Sequence, residues 1–270
     1  MNKYFLVIAR YEGEKQEIFD NYISPINQRY CDKHGFDYVV IGNETSLDLV
    51  RDNPTWWKFT IVQDWIKTGK VKQGDVVTHF DADMVIVKDD KPYQTDKSFS
   101  YAIDNGNTHC MGNYTITVND WSVNLIDRIL DESLFQKLKD TEHWQNFREQ
   151  AAWYTLSGIL PHSWISFFDM PNYGFHSTTS PYLHYSLEDL EKHVEVRGPE
   201  WDTTLLAEEA ADPVSKALQK YNIVKSRKED TIVRHFAGRQ PWNEEYFKSS
   251  KKIRQNKKRE RGSFARSTKI

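Results

Sequence analysis

Two aspartates one residue apart, Asp81 and Asp83, close the apolar stretch GDVVTHFDADMVI at residues 74–86. Alternation along an extended segment points both carboxylates the same way, with Ala82 opposite, at a spacing of ~7 Å. Two like charges at the end of a buried strand are costly unless a cation neutralises them. Converging oxygen ligands suit a hard divalent ion, Mn²⁺ or Mg²⁺, which also accepts phosphate oxygens as further ligands. The plain alternative is a pair of solvent-facing acids at a strand end.

Two chemistries use such a pair. In nucleotide-sugar transfer the ion holds the diphosphate. In phosphoryl transfer of the haloacid-dehalogenase type, the first Asp of DxDx(T/V) attacks phosphorus and the second serves as acid and base; DADMV at 81–85 meets that pattern. Those enzymes carry the motif on their first strand, and they need a lysine and paired acids on later strands. Here the motif comes after two other strand-like runs, and KDD at 88–90 lies too close to supply those groups.

The elements around the pair set its place. YFLVIA (4–9), DYVVI (37–41) and GDVVTHF (74–80) are strand-like runs. Between them lie helical patterns, EKQEIFDNYISPINQRYCDKHG and NPTWWKFTIVQDWIKTG, the first expected in two pieces with Ser24 capping the second. A strand–helix–strand–helix–strand order predicts a mainly parallel sheet flanked by helices, and ligands of such sheets gather outside the carboxyl ends of strands. Further on, SFSYAI (98–103), NYTITV (113–118) and DTIVRHFAG (230–238) read as strands. NDWSVNLIDRILDESLFQKL and HWQNFREQAAWYTLSGI read as helices, and residues 161–202 as loops over a site.

The chain has 270 residues, 39% apolar and 28% charged, enough for one substantial core and typical of a soluble enzyme. Its two cysteines, Cys31 and Cys110, exclude a disulfide framework, and neither has a zinc-type partner spacing. No signal peptide or membrane-spanning run is visible, so a cytoplasmic protein is expected. The net charge of −3 is uneven: from Lys248 onward ten Lys/Arg face only Glu260, a local +9 that leaves the remainder at −12. We therefore expect a domain over 1–247 and a basic tail over 248–270. The tail is either a solvated segment or a peripheral contact with an anionic surface, and no module for specific nucleic-acid binding accompanies it.

Four stretches in order, WWKFTIVQDWI, HFDADMVI, MGNYTITVNDWSVNLIDRIL, and REQAAW followed by VRHFAGRQPW, resemble the galactosyltransferase/mannosyltransferase family of fungal α-galactosyl- and α-mannosyltransferases and plant xyloglucan xylosyltransferases. The resemblance covers residues 55–160 and 230–243. The last stretch also resembles the HxxGxxKPW ending of glycogenin-type transferases, one residue shorter and with Gln240 where a lysine is expected. What the resemblance implies is a single Rossmann-like GT-A domain that transfers a hexose or pentose, with retention, from a nucleotide-diphosphate sugar, most simply UDP-linked, to a glycan acceptor with Mn²⁺ (or Mg²⁺).

Carried over residue by residue, the resemblance makes His235 the third metal ligand beside Asp81 and Asp83, an imidazole joining two carboxylates. Gly238 permits close approach of a diphosphate, and Arg239 forks onto its oxygens. Lys58 reaches the nucleotide or phosphates from the helix ahead of the metal strand, with Arg51 a weaker candidate. Glu149 and Gln150 match an acid–Gln pair beside the anomeric carbon, where they would stabilise positive charge or bond sugar hydroxyls. Trp153 stacks on a sugar or simply packs. Gly112 survives from the family's Asn-Thr-Gly, while Cys110 and Met111 replace its polar pair. The readings from other classes are the phosphatase above and a catalytically silent carbohydrate-binding relative.

Overall fold

The computed structural model describes residues 1–44, 54–104, 109–139, 148–158, 183–203 and 229–236. Strand β1 (Lys3–Ile8) pairs in parallel with β2 (Asp37–Ile41) on one side and β3 (Val76–Asp81) on the other. β6 (His109–Thr117) lies antiparallel to β3, β5 (Phe99–Ile103) antiparallel to β6, and β7 (Val194–Arg197) parallel to β5. The six-stranded order is β2-β1-β3-β6-β5-β7, in which β6 alone runs against the rest. This is the α/β, mainly parallel sheet that the alternating pattern predicts. A second, two-stranded sheet pairs β4 (Met84–Ile86) with β8 (Val233–His235).

Alternation on the central strands splits the core between two faces. On β1, Phe5 and Val7 join Ile18, Phe19 and Tyr30 from the first helical segment and Met84 and Val233 from the small sheet. Leu6 faces the other way, into a cluster with Trp56, Phe59 and Val62 of α3 (Pro54–Lys67), Leu125 and Ile126 of α4 (Asp120–Ile129), and Ala152 and Trp153 of α6 (Glu149–Ser157). Trp153 is fully buried and packs on Phe99 and Tyr101, so its role here is core rather than sugar stacking.

The first helical segment is continuous where a break at Ser24 is expected. α1 (Glu14–Ile18) passes through a π-helical turn, Phe19–Ile23, into α2 (Ser24–His34), and Ser24 lies inside the helix. Pro25 falls in the first turn of α2, where its missing N–H removes no α2 hydrogen bond. Gly35 then ends it at φ 71°, a left-handed turn that favours glycine. The helix expected over 119–138 opens as predicted, with Asn119 capping through Ser122. It then divides, because Asp131 caps a new helix, α5 (Glu132–Leu138), by accepting from the N–H groups of Ser133 and Leu134.

In the stretch expected to be loops, residues 183–203 carry α7 (Leu187–His193), β7 and a short 3₁₀ turn, Pro199–Trp201. β7 extends the main sheet, which a loop reading misses. Residues 159–182, Gly238, Arg239, Arg51 and the expected 247/248 boundary lie outside the described residues. Among the described residues no helix is long and apolar enough to cross a membrane.

Candidate active site

The aspartate pair sits at the carboxyl end of the sheet's central strand, but not as a continued strand. β3 stops at Asp81, the chain turns through Ala82 and Asp83, and β4 begins at Met84. The turn does what alternation was expected to do and brings the groups closer than the extended spacing. A ligand oxygen from each of Asp81 and Asp83 and a ring nitrogen of His235 all lie within 4.8 Å of one another.

Long-range contacts hold each of the three. Asn27 on α2 clamps β4, its Nδ2 donating to Met84 O at 3.0 Å and its Oδ1 accepting from Ile86 N at 3.1 Å. β8 lies antiparallel to β4 with His235 opposite Met84, and Phe236 N donates to Asp83 O. On its other side β8 is gripped by Thr203, which exchanges backbone hydrogen bonds with Val233 and His235. The ring of His235 is fixed by Asp202, whose Oδ1 accepts from Nδ1 at 2.7 Å, leaving Nε2 toward Asp83 Oδ1 at 3.6 Å. Asp202 is fully buried, and its Oδ2 accepts from Asn113 Nδ2. A buried carboxylate behind a histidine sets the tautomer that leaves the far nitrogen free to ligate.

The reversed direction of β6 brings its first residues to the same place. Gly112 follows the last β3–β6 pair, Phe80 with Asn113. A Cβ at Gly112 would stand 3.0 Å from Asp81 Oδ2, 3.1 Å from Cys110 Sγ and 3.3 Å from His235 Cε1. The missing side chain is therefore the floor of the site. Met111 secures that floor from two sides: its N–H donates to Gln150 Oε1 at 2.8 Å, and its carbonyl accepts from Lys58 Nζ at 2.7 Å.

Lys58 is buried at 2% exposure, and its ammonium reaches Glu149 Oε1 at 3.0 Å and Asp81 Oδ1 at 3.4 Å. Its helix is docked by Phe59 stacked on Tyr114, 4.9 Å between centroids, and by Tyr114 OH donating to Lys58 O. Lys58 thus faces two carboxylates, where the sequence suggests a contact with nucleotide or phosphate. Burial lowers its pKa, but Asp81 and then Glu149 outweigh burial and hold it above the ordinary lysine value, so it is charged. Glu149, at the first position of α6, is itself raised by burial against the pull of Lys58 and Thr55. Glu149 and Gln150 therefore belong to this cluster.

Charge at the centre is unbalanced. Burial pushes Asp81 up, but Lys58, His79 and His235 more than offset this and hold it well below the usual carboxylate range; His79 Nε2 donates to its Oδ1 at 2.9 Å. Asp83 moves the opposite way, raised by burial and by Asp81 and Asp202 against His235. His235 is raised well above ordinary histidine, because Asp202 and Asp83 outweigh its burial. Two carboxylates with one imidazole are the donor set of a hard or borderline divalent ion. Asp81, with its side chain 40% exposed, opens the set to solvent.

Sequence reasoning missed His79, Asp202 and Tyr11. Asp202 stands in a stretch without periodicity, and only a buried aspartate after Pro199–Trp201 marks it. Tyr11, just beyond β1, lies near enough to Asp83 and Asp81 that, after burial, they raise its phenol.

No family model and no curated protein sequence matches the chain. Among solved structures it is similar to a glycosyltransferase involved in glycosylation of the major capsid of PBCV-1, at 11% identity over 91% of this chain and 99% of that one, TM-score 0.48. It is also similar to the glycosyltransferase GlyE of Streptococcus pneumoniae TIGR4, at 10% identity over 90% of this chain and 57% of that one, TM-score 0.45. A third is the galactosyltransferase LgtC in complex with donor and acceptor sugar analogs, at 11% identity over 87% of each chain, TM-score 0.44.

Proposed function

We propose that the chain is a metal-dependent glycosyltransferase of the GT-A type, moving a hexose or pentose from a nucleotide-diphosphate sugar, most simply a UDP-sugar, to a glycan acceptor with retention. The observation that carries this reading is the convergence of Asp81, Asp83 and His235, far apart in sequence, at the carboxyl end of β3. Mn²⁺ or Mg²⁺ held there supplies, when bound, positive charge for the departing nucleotide diphosphate.

The chain's own groups divide the work. Asp81 and Asp83 offer oxygens, His235 offers Nε2, and Asp202 keeps the proton on Nδ1 so that Nε2 can ligate. Lys58 holds Asp81 ionised and ties it to Glu149 on α6. Gln150 fixes the start of β6, and Gly112 keeps the floor open. In this reading Glu149 lies on the sugar side, where a carboxylate steadies positive charge at the anomeric carbon or accepts from a sugar hydroxyl. Arg239 and Gly238 are assigned to the diphosphate, residues 161–202 apart from β7 and Asp202 to the acceptor cleft, and the basic tail to an anionic surface.

A thermal-shift panel of UDP- and GDP-sugars with and without Mn²⁺ tests the reading. Stabilisation that needs both nucleotide and metal is expected, followed by release of nucleoside diphosphate when acceptor is supplied. No nucleotide-dependent shift would overturn it. Hydrolysis of p-nitrophenyl phosphate with Mg²⁺ and indifference to UDP would move the assignment to a phosphatase, and sugar binding without metal dependence to a silent carbohydrate-binding protein.

A further inference from the structure

The imidazole of His235 is shared by two donor sets. Its Nε2 edge faces Asp83, with Asp81 beyond. Its Nδ1 edge faces Asp202, and Cys110 completes a second group: Cys110, Asp202 and His235 each place a ligand atom within 4.8 Å of the others. The two sets differ in chemistry. Asp81, Asp83 and an imidazole are oxygen-rich, whereas thiolate, carboxylate and imidazole suit a thiophilic divalent ion of the Zn²⁺ class, leaving a fourth position for water.

We propose that Cys110, Asp202 and His235 form an inhibitory soft-metal site, mutually exclusive with the hard-metal site at Asp81 and Asp83. Cys110 stands at the start of β6 as a partly exposed residue, while Asp202 and His235 are buried and fixed. Binding releases the thiol proton to solvent, and the proton that Nδ1 donates to Asp202 is transferred to Nε2, so the ring stays neutral. A neutral imidazole metallated on Nδ1 keeps its remaining proton on Nε2, so no lone pair is left there for an ion between the aspartates. The exclusion rests on the metal reading of Asp81 and Asp83 given above; the soft site itself does not.

Co²⁺ and Cd²⁺ are the probes, because thiolate coordination gives a sulfur-to-metal charge-transfer band independent of turnover. Titrated into the reduced full chain, one equivalent should produce that band. Cys110→Ser should abolish it, Asp202→Asn, which removes a carboxylate ligand, should weaken binding by at least the roughly tenfold that loss of a merely supporting partner costs, and Cys31→Ala should leave it unchanged. Circular dichroism verifies that each variant is folded. Asp83→Ala should keep the band, and in the wild type Cd²⁺ should release bound Mn²⁺, seen as the growing resonance signal of the free ion. A band that survives Cys110→Ser, or none in wild type at stoichiometric metal, overturns the proposal. Wild-type protein that shows the band yet binds no Mn²⁺ would sink the reading of the aspartate pair and leave the soft site standing.

Discussion

Lys58 Nζ stands 3.0 Å from Glu149 Oε1, a lysine and a glutamate both almost wholly buried. The same ammonium reaches Asp81 at 3.4 Å, so one cation serves two carboxylates. Removing one member of a buried pair leaves a charge without compensation, which costs about 3–5 kcal/mol. Lys58→Met should lose stability of that order in urea unfolding. Adding Glu149→Gln removes one stranded carboxylate, and the double variant should recover much of the loss. Strictly additive losses would show that Lys58 is not the shared counter-ion.

Of the three ligands proposed for Mn²⁺, Asp202 hydrogen-bonds His235, whose Nδ1 proton it accepts at 2.7 Å. Asp202→Asn should therefore weaken Mn²⁺ binding by about tenfold to a hundredfold. Isothermal titration calorimetry checks this, and an unchanged affinity would mean that the ring needs no such support.

At Gly112 the backbone can accept alanine, because its φ lies outside the left-handed range, but the added Cβ meets Asp81 Oδ2 at 3.0 Å and His235 Cε1 at 3.3 Å. Gly112→Ala should leave the melting temperature close to wild type while reducing metal-dependent nucleotide binding. A variant that binds Mn²⁺ and UDP-sugar normally would show that the floor has room to spare.

His109 gives a pH signature distinct from that of Asp81, Asp83 and His235. Burial lowers it from the ordinary 6.5 to about 4, and the Tyr101 hydroxyl lies 2.6 Å from its Nδ1. Below pH 6.5 the unfolded chain takes up a proton that the folded ring refuses, so stability falls as pH drops from about 6.5 toward 4. The full loss is about 3 kcal/mol. Unfolding free energies for wild type and His109→Gln across that range should converge toward low pH, and parallel curves would place the acid sensitivity elsewhere.

Much of this arrangement was legible in the sequence, for identifiable reasons. The three early strands announce themselves because both faces of the sheet are covered and their apolar runs are dense. Asp81 and Asp83 are visible because two acids end such a run, and His235 because it closes another. The short strands were harder: β4 has three residues, and VEVR in β7 alternates with charge and sits at the sheet edge. Asp202 and Lys58 show the other limit. Their roles come from groups far away in sequence, Asp202 from His235 and Asn113, and Lys58 from Asp81, Met111 and Glu149. No local spacing encodes such a meeting.

The six-stranded sheet is complete at Arg197, yet the third proposed ligand arrives only with β8, at His235. During synthesis the N-terminal part of a chain can begin to fold before the rest has emerged. The scaffold can therefore assemble around an aspartate pair that still lacks its imidazole. On the proposed metal reading, ion capture would then wait for the last strand, and a product truncated just before β8 would have the sheet's strands without the third proposed ligand.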